Sequence, residues 1–309
     1  MIMDIKTAIK EHFDDKYYRA KHFGARYILD WTLCSLIRKF GLSCRCVNPN
    51  EVDFRYVKRR YKKLASQIKY NEGYKDGDTI WVMWWQGADV EKPSLVETCI
   101  ESIKRNRGEY RVVVVDQCYY RDYIDIPQLI LDKFNRGVIG IAAFSDYIRF
   151  ALLEKYGGWY LDATIYVTRP IERPENSFYS IKSGNFSDHI SKAMWSAYLW
   201  YLPQEHPLSI FVHQAFDDYW THYDKMVNYF LIDCIVRTFY ERVQEFKVQV
   251  DSLNCDNPDH FFLQREGCEM SYDEKTWNYL CGMNHFFKCD RKKAIWKCNS
   301  FAGKLFESK

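Results

Sequence analysis

Apolar positions follow two different rhythms along this chain, and the change falls near residue 79. In FRYVKRRYKKLASQIKY, Phe54, Val57, Tyr61, Leu64 and Ile68 recur at three- and four-residue steps and predict a helix packed through one stripe. Lys58, Arg59, Arg60, Lys62 and Lys63 fill the rest of its surface, the pattern of a solvated basic face. GYKDGDT then punctuates the chain as a loop. Beyond it, TIWVMWW predicts a buried strand, and SLVETCIESIKRN a helix with Leu95, Cys99 and Ile103 on one face and Ser94 as its cap. RVVVVD reads as a strand of a parallel sheet covered on both faces. IPQLILDKFN and IAAFSDYIRFALLEKY predict helices, and WYLDATIYV another strand. Strand–helix–strand order without hairpin turns predicts an α/β sheet flanked by helices. From about Glu172 onward the pattern changes to loops and aromatic helices, NYFLIDCIVRTFYERV among them. Two regions follow: a helical basic segment over residues 1–78 and an α/β domain over 79–309, with helical additions across 172–309.

Composition narrows the picture only in part. The 309 residues are enough for a sizeable core without disulfide support, and 47% hydrophobic with 28% charged residues excludes wholesale disorder. A net charge of +3 gives no footprint for nucleic acid. Aromatic residues reach 17%, which suits stacking surfaces for ring-shaped ligands as well as an aromatic core. Eleven cysteines without a repeating framework read as reduced thiols. The N-terminus, MIMDIKTAIKEHFDDKYYRAKHF, lacks a signal peptide's apolar core, and Asp146 and Arg149 interrupt the longest apolar stretch. The expectation is a cytoplasmic protein. Its basic N-terminal helix also suits peripheral contact with the inner face of an anionic membrane.

The chemistry concentrates in FSDYIRFALLEKYGGWYLDATIYVTRP, Phe144 to Pro170. Gly157-Gly158 stops the helix, since glycine readily takes the left-handed backbone a C-cap needs. On the following strand Tyr160, Asp162, Thr164 and Tyr166 share one face. A carboxylate inside a buried strand is costly unless paired or bound to a metal. Asp162 and Thr164 project oxygens the same way, and hard cations such as Mg²⁺ or Mn²⁺ take such ligands together with substrate phosphates. Asp146 and Arg149, three residues apart, lie on neighbouring positions of the preceding helix. Alone they read as a surface salt bridge of little worth. Ahead of an aspartate-bearing strand, they bring an acid and a base to the same cleft.

The succession Ser145-Asp146-x-x-Arg149, then Gly157-Gly158-Trp159-Tyr160-Leu161-Asp162-Ala163-Thr164, resembles the sugar-binding DxD region of glycosyltransferase family 32. More closely, it resembles the bacterial capsular polysaccharide synthesis proteins, where an Asp-Ala-Thr variant occurs. The resemblance extends to IWVMWWQG, the VVVVD strand and Pro170-Ile171, and more weakly to NYFLID. It implies a GT-A-like fold, a nucleotide-sugar donor (a UDP-sugar first), a glycan or lipid-linked acceptor, Mn²⁺ or Mg²⁺, and hexosyl transfer with retention. Carried over residue by residue, Asp146 and Arg149 bind the donor's ribose and sugar, with Arg149 close to the leaving phosphate. Asp162 matches the first aspartate of the motif. Thr164 replaces the second, and Asp233 is the candidate to complete the metal shell. Trp84 or Trp85 stacks on the base, and Tyr160 flanks the sugar or diphosphate. The region beyond Glu172 holds the acceptor side.

Other constellations carry less. Cys281, His285, Cys289 and Cys298 lack the paired spacing of structural zinc and read as thiols packed in the fold. Cys44-Arg45-Cys46 lacks redox spacing, and no glycine-rich phosphate loop is present. His206, His213 and His222 read as packed or surface histidines. Two rival functions stand beside glycosyl transfer. One is a haloacid-dehalogenase-like phosphohydrolase using Asp162 as nucleophile, against which the aspartate expected two residues on is missing. The other is a non-enzymatic basic module binding membrane or nucleic acid through Arg55–Lys63.

Overall fold

The strand–helix alternation beginning at residue 79 is present in the fold, seen in a computed structural model that describes residues 16–40, 48–70, 73–87, 89–183, 189–291 and 295–307. A helical stretch over 16–23 leads into α1 (Ala25–Lys39) and α2 (Pro49–Gln67). The sheet region runs β1 (Thr79–Met83), α3 (Ser94–Arg105), β2 (Arg111–Val115), α4 (Gln128–Asn135), α5 (Ile141–Tyr156), β3 (Gly158–Asp162) and β4 (Ile165–Val167). The remainder holds β5 (Leu199–Leu202), α6 (Pro207–His222), α7 (Leu231–Tyr240), α8 (Gln244–Asp251), α9 (Glu274–Met283), β6 (Phe286–Lys288) and α10 (Phe301–Phe306). The Cys44–Cys46 pair and the first fifteen residues of the N-terminal segment lie outside the described residues.

The central sheet has the order β2-β1-β3-β5, with β1 parallel to both β2 and β3, and β5 antiparallel to β3. This is a mixed α/β sheet flanked by helices. Because β2 and β3 lie on opposite sides of β1, the chain reverses direction across the sheet at the carboxyl ends of β1 and β3. In open α/β sheets that switch point is where a ligand crevice forms. Side-chain alternation sends Trp81, Met83, Tyr160 and Trp200 to one face, where α5, α6, α7 and the N-terminal helices cover them. Ile80, Val82, Trp159, Leu161 and Tyr201 go to the other face, against α3, β4, β6 and α10.

The N-terminal helices belong to the first of these cores. Asn48 caps α2 by accepting the Asn50 N–H at 3.0 Å, Pro49 opens the helix, and Val52, Phe54, Val57, Tyr61 and Ala65 are buried. The basic face is partly paired: Lys58 meets Glu241 at 2.5 Å and Arg60 meets Asp218 at 2.7 Å. Arg237 of α7 lays its guanidinium 3.8 Å from the Phe54 ring centre and pairs with Glu51 at 2.6 Å.

Four local expectations need correction. Ser94 is the first helical residue of α3 and makes no cap hydrogen bond; Pro93 occupies the cap position. β2 is an edge strand whose Val112, Val113 and Val114 are only half-buried. The run WYLDATIYV is two strands: it turns at Ala163-Thr164, and β4 leaves the central sheet to pair antiparallel with β6. LWYL and FFK, inside the region read as loops and helices, are strands β5 and β6.

Candidate active site

The helix stop at Gly157-Gly158 sets the register of everything downstream. Gly157 caps α5 at φ 65° and Gly158 follows at φ 94°. A Cβ on Gly158 would lie 2.2 Å from the Thr79 carbonyl oxygen, so glycine lets β3 come close to β1 as well as turn. The turn lays α5 against β3, and side chains then meet across it. Tyr160 and Asp162 point toward α5, and Arg149 points back toward them.

Arg149 is 4% exposed and surrounded by acceptors. Its Nη1 lies 2.9 Å from Asp146 Oδ1 and also donates to the Ala197 carbonyl, while Nη2 reaches Asp162 Oδ1 at 3.1 Å. Its guanidinium stacks 4.5 Å from the Tyr160 ring centre, and the Tyr160 and Ser145 hydroxyls are 3.0 Å apart. Burial opposes the Arg149 charge, but Asp146, Tyr160 and Asp162 outweigh it and hold the guanidinium firmly protonated, its pKa raised. Burial pushes the Asp146 carboxyl up to about 7, with Arg149 pulling it down and Asp162 and Asp233 pushing it further up.

Asp233, at the start of α7, is buried beside this group. It accepts the Trp195 indole N–H at 2.8 Å, and burial raises its carboxyl to about 7 against that bond and the field of Arg149. Thr164 lies in the turn after β3, on the other side of Asp162. Trp84 and Trp85 both follow β1 at the mouth of the switch point. Trp84 is buried on the α3 side under Arg291, whose guanidinium is 5.3 Å from its ring centre. Trp85 is half-buried on the α5 side, in an aromatic nest of Tyr120, Phe134 and Phe144. The structure thus brings Asp146, Arg149, Tyr160 and Asp162 into direct contact, and sets Asp233 behind them.

Two contributors were missed in the sequence. The lead-in to β5 supplies backbone: the Ala197 carbonyl takes Arg149, and the Tyr198 carbonyl accepts the Asp162 N–H at 3.0 Å. The end of β6 supplies Lys288. Its ammonium bonds the Thr164 hydroxyl, stands 3.5 Å from Asp162 Oδ2, and lies over the Tyr198 ring at 5.4 Å. Pairing of Ile165 with Lys288 across β4 and β6 fixes that placement. The local signal, the three residues FFK, is too short to read as a strand.

The metal implied for Asp162, Thr164 and Asp233 meets a poor donor set. Each Asp162 oxygen faces a protein cation, the Thr164 hydroxyl is taken by Lys288, and Asp233 is bonded to Trp195. Among the described residues no group of three or more His, Cys, Asp or Glu side chains is arranged to hold a metal ion. The C-terminal Cys/His set is likewise dispersed. His285 Nε2 lies 2.8 Å from the Arg169 carbonyl, Cys289 is buried against Cys99, Cys281 is half-buried and Cys298 is exposed. His206 is an N-cap, its Nδ1 accepting the Leu208 N–H, and His213 bridges Glu154 and Tyr147. No helix among the described residues is long and apolar enough to cross a membrane.

A mixed sheet with a buried Arg–Asp cluster at its switch point defines the class: an α/β protein that gathers charge at the carboxyl end of β3. The family model described as "Capsular polysaccharide synthesis protein" matches residues 42–306, and the chain belongs to that family. Among solved structures it is similar to one titled "PaToxG Glycosyltransferase", at 10% identity and a TM-score of 0.40, over 65% of this chain and 80% of that one. A search of curated proteins returned no match.

Proposed function

We propose that the chain is a glycosyltransferase of capsular polysaccharide synthesis that takes a nucleotide-diphosphate sugar, a UDP-sugar first, and passes its hexosyl group to a glycan or lipid-linked acceptor. The observation that carries this reading is the buried Arg149, held by Asp146 and Asp162 at the carboxyl end of β3. In glycosyl transfer the bond from the anomeric carbon to the β-phosphate oxygen breaks, and its electron pair stays on the phosphate. The acceptor oxygen forms the new bond and releases its proton. Negative charge therefore grows on the departing diphosphate, and a guanidinium fixed by two carboxylates needs no reorganisation to meet it. Trp85, with Tyr120 in its nest, supports stacking of the base on the α5 side of the crevice. The resemblance of Ser145–Thr164 to glycosyltransferase family 32 supports a GT-A-like arrangement and retention at the anomeric carbon.

Leu29, Leu33, Leu36 and Phe40 stand exposed on one side of α1 and just past its end, which supports peripheral contact with an anionic membrane carrying the acceptor. Sedimentation with anionic vesicles tests that part. The function itself is tested by a thermal-shift screen of nucleotide sugars, since a ligand that binds only the native state raises its apparent stability. One donor is expected to stabilise the protein and to be turned over with release of its nucleoside diphosphate. Absence of stabilisation by every donor, with hydrolysis of simple phosphate esters instead, would overturn the reading in favour of a phosphohydrolase.

A further inference from the structure

Lys288 lies where a resident cation of this crevice is expected. Its ammonium bonds the Thr164 hydroxyl and sits 3.5 Å from Asp162 Oδ2, so it engages both side chains that the sequence pattern offers to a metal. A hard cation bonded to those two oxygens at about 2.0–2.2 Å would lie against the ammonium, an arrangement opposed by like-charge repulsion. Nor is the ammonium a stray surface charge. Its side chain is 19% exposed, and its Nζ also donates to the Cys289 carbonyl at 3.2 Å and lies over the Tyr198 ring at 5.4 Å. The backbone aims it, because the Lys288 N–H donates to the His260 carbonyl and the Cys289 N–H to the Thr164 carbonyl at 2.9 Å. Three residues on, Arg291 covers Trp84 at the end of β1. The chain leaving β6 thus sets Lys288 on the β3 side of the switch point and Arg291 on the β1 side, with Asp290 between them in sequence.

We infer that Lys288 is a diphosphate-binding residue that takes the place of the divalent metal, so that donor binding by this chain is metal-independent. Asp162 then serves as the shared counter-ion that positions two cations, Arg149 on Oδ1 and Lys288 on Oδ2, and Thr164 orients the second of them. This answers the main irregularity of the motif. A threonine is a poor substitute for a metal-binding carboxylate, yet its hydroxyl oxygen is a good acceptor for an ammonium. The inference rests on the reading of the crevice as a nucleoside-diphosphate site.

The test is calorimetric titration of the full chain with UDP, GDP, ADP and CDP, each in EDTA and in Mn²⁺. At least one is expected to bind in EDTA with an affinity within about threefold of that in Mn²⁺. Lys288→Met, which keeps an unbranched side chain of similar length without the charge, is expected to weaken binding in EDTA at least tenfold. It should also gain a response to Mn²⁺, because Asp162 Oδ2 and the Thr164 hydroxyl then lose their partner while Arg149 keeps Oδ1; Lys288→Arg is expected to retain most of the affinity in EDTA. The wild-type comparison needs no variant and stands even if Lys288→Met fails to fold. Binding that appears only with Mn²⁺, or binding in EDTA that Lys288→Met leaves unchanged, overturns the inference while leaving the crevice a nucleotide site. Binding of none of the four in either buffer overturns the reading of the crevice and this inference with it.

Discussion

The Arg149 guanidinium and the Asp162 carboxylate meet at 3.1 Å across the α5–β3 turn, thirteen residues apart in sequence and fixed by two glycines between them. Arg149 is nearly inaccessible, whereas Asp162 keeps 28% of its side chain in contact with solvent. The two partners therefore differ in what their removal does. Arg149→Ala leaves Asp146 without its counter-ion and Asp162 with Lys288 alone, and because both carboxyl groups are partly exposed the cost falls below the about 3–5 kcal/mol of breaking a fully buried pair. The expected outcome is a lowered melting temperature together with loss of turnover. Asp162→Asn keeps shape and a hydrogen-bond acceptor, so it is expected to melt near the wild type while turnover falls on the order of a hundredfold. Thermal melting measured alongside nucleoside-diphosphate release separates the two. An Asp162→Asn protein with near-normal turnover would remove that carboxylate from the site.

Asp233 gives the crevice a pH dependence of its own. Its hydrogen-bond partner is the neutral Trp195 indole, so nothing adjacent offsets burial fully, and its carboxyl is held at about 7 against about 3.9 in an unfolded chain. Folding therefore favours the protonated form. Its contribution to stability is complete below about pH 4 and declines as pH rises through about 7. Chemical denaturation at pH 5 and pH 8 is expected to show a loss on the order of 2–3 kcal/mol at the higher pH. Asp233→Asn, which still accepts from Trp195, is expected to shrink that difference, leaving the share that Asp146 contributes. An equal pH response in wild type and variant would assign the dependence to Asp146 or elsewhere.

The N-terminal helices are expected to be required for folding. Asp53 of α2 is buried, accepting the Tyr27 hydroxyl at 2.6 Å and the Asn228 amide at 2.7 Å. With Phe54 under Arg237 and Val57, Tyr61 and Ala65 in the same core, deleting residues 1–78 would expose the α7 surface that these side chains cover. Each large apolar side chain so uncovered forfeits about 1.5–3 kcal/mol. A chain beginning at residue 79 is expected to be insoluble, or to melt without a cooperative transition. Soluble expression with a sharp transition and retained donor binding would make residues 1–78 a separable appendage.

How far the sequence revealed this site depended on whether its parts were local. The α5 stop, the alternation from Trp159 to Asp162 and the Asp146–Arg149 spacing are all set within two turns of helix and one strand, and they were legible. The turn at Ala163-Thr164 was not, because nothing in DATIYV marks it. The break arises because β4 finds its partner in β6, more than a hundred residues further on. β5 was hidden for a related reason: LWYL is bulky and aromatic, and only pairing with β3 makes it a strand. Since β5 leads in with Ala197-Tyr198 and β6 ends in Lys288, the polar partners of Arg149, Asp162 and Thr164 that come from a distance were the ones missed. The paired cations of α2 were hidden likewise, since Glu241 and Asp218 reach them from the C-terminal helices.

Gly158 is the position on which the site's alignment depends most. Its φ of 94° lies in the region side chains avoid, and a Cβ there would fall 2.2 Å from the Thr79 carbonyl oxygen, a backbone atom with no freedom to yield. Alanine would face both obstacles. The left-handed backbone costs roughly 1–2 kcal/mol, and overpacking against a fixed strand about 1–3 kcal/mol more. Relief would require β3 to move away from β1, carrying Tyr160 and Asp162 with it and loosening the Asp162 contact with Arg149. Gly158→Ala is therefore expected to lower the melting temperature and to abolish donor binding together. Gly137→Ala is the control: it too has positive φ, at 73°, but its Cβ would meet nothing within 4 Å, so it carries the backbone cost alone. Gly137→Ala should stay folded and bind donor. If the two variants melt alike and both bind, the close approach of β3 to β1 does not set the geometry of the crevice.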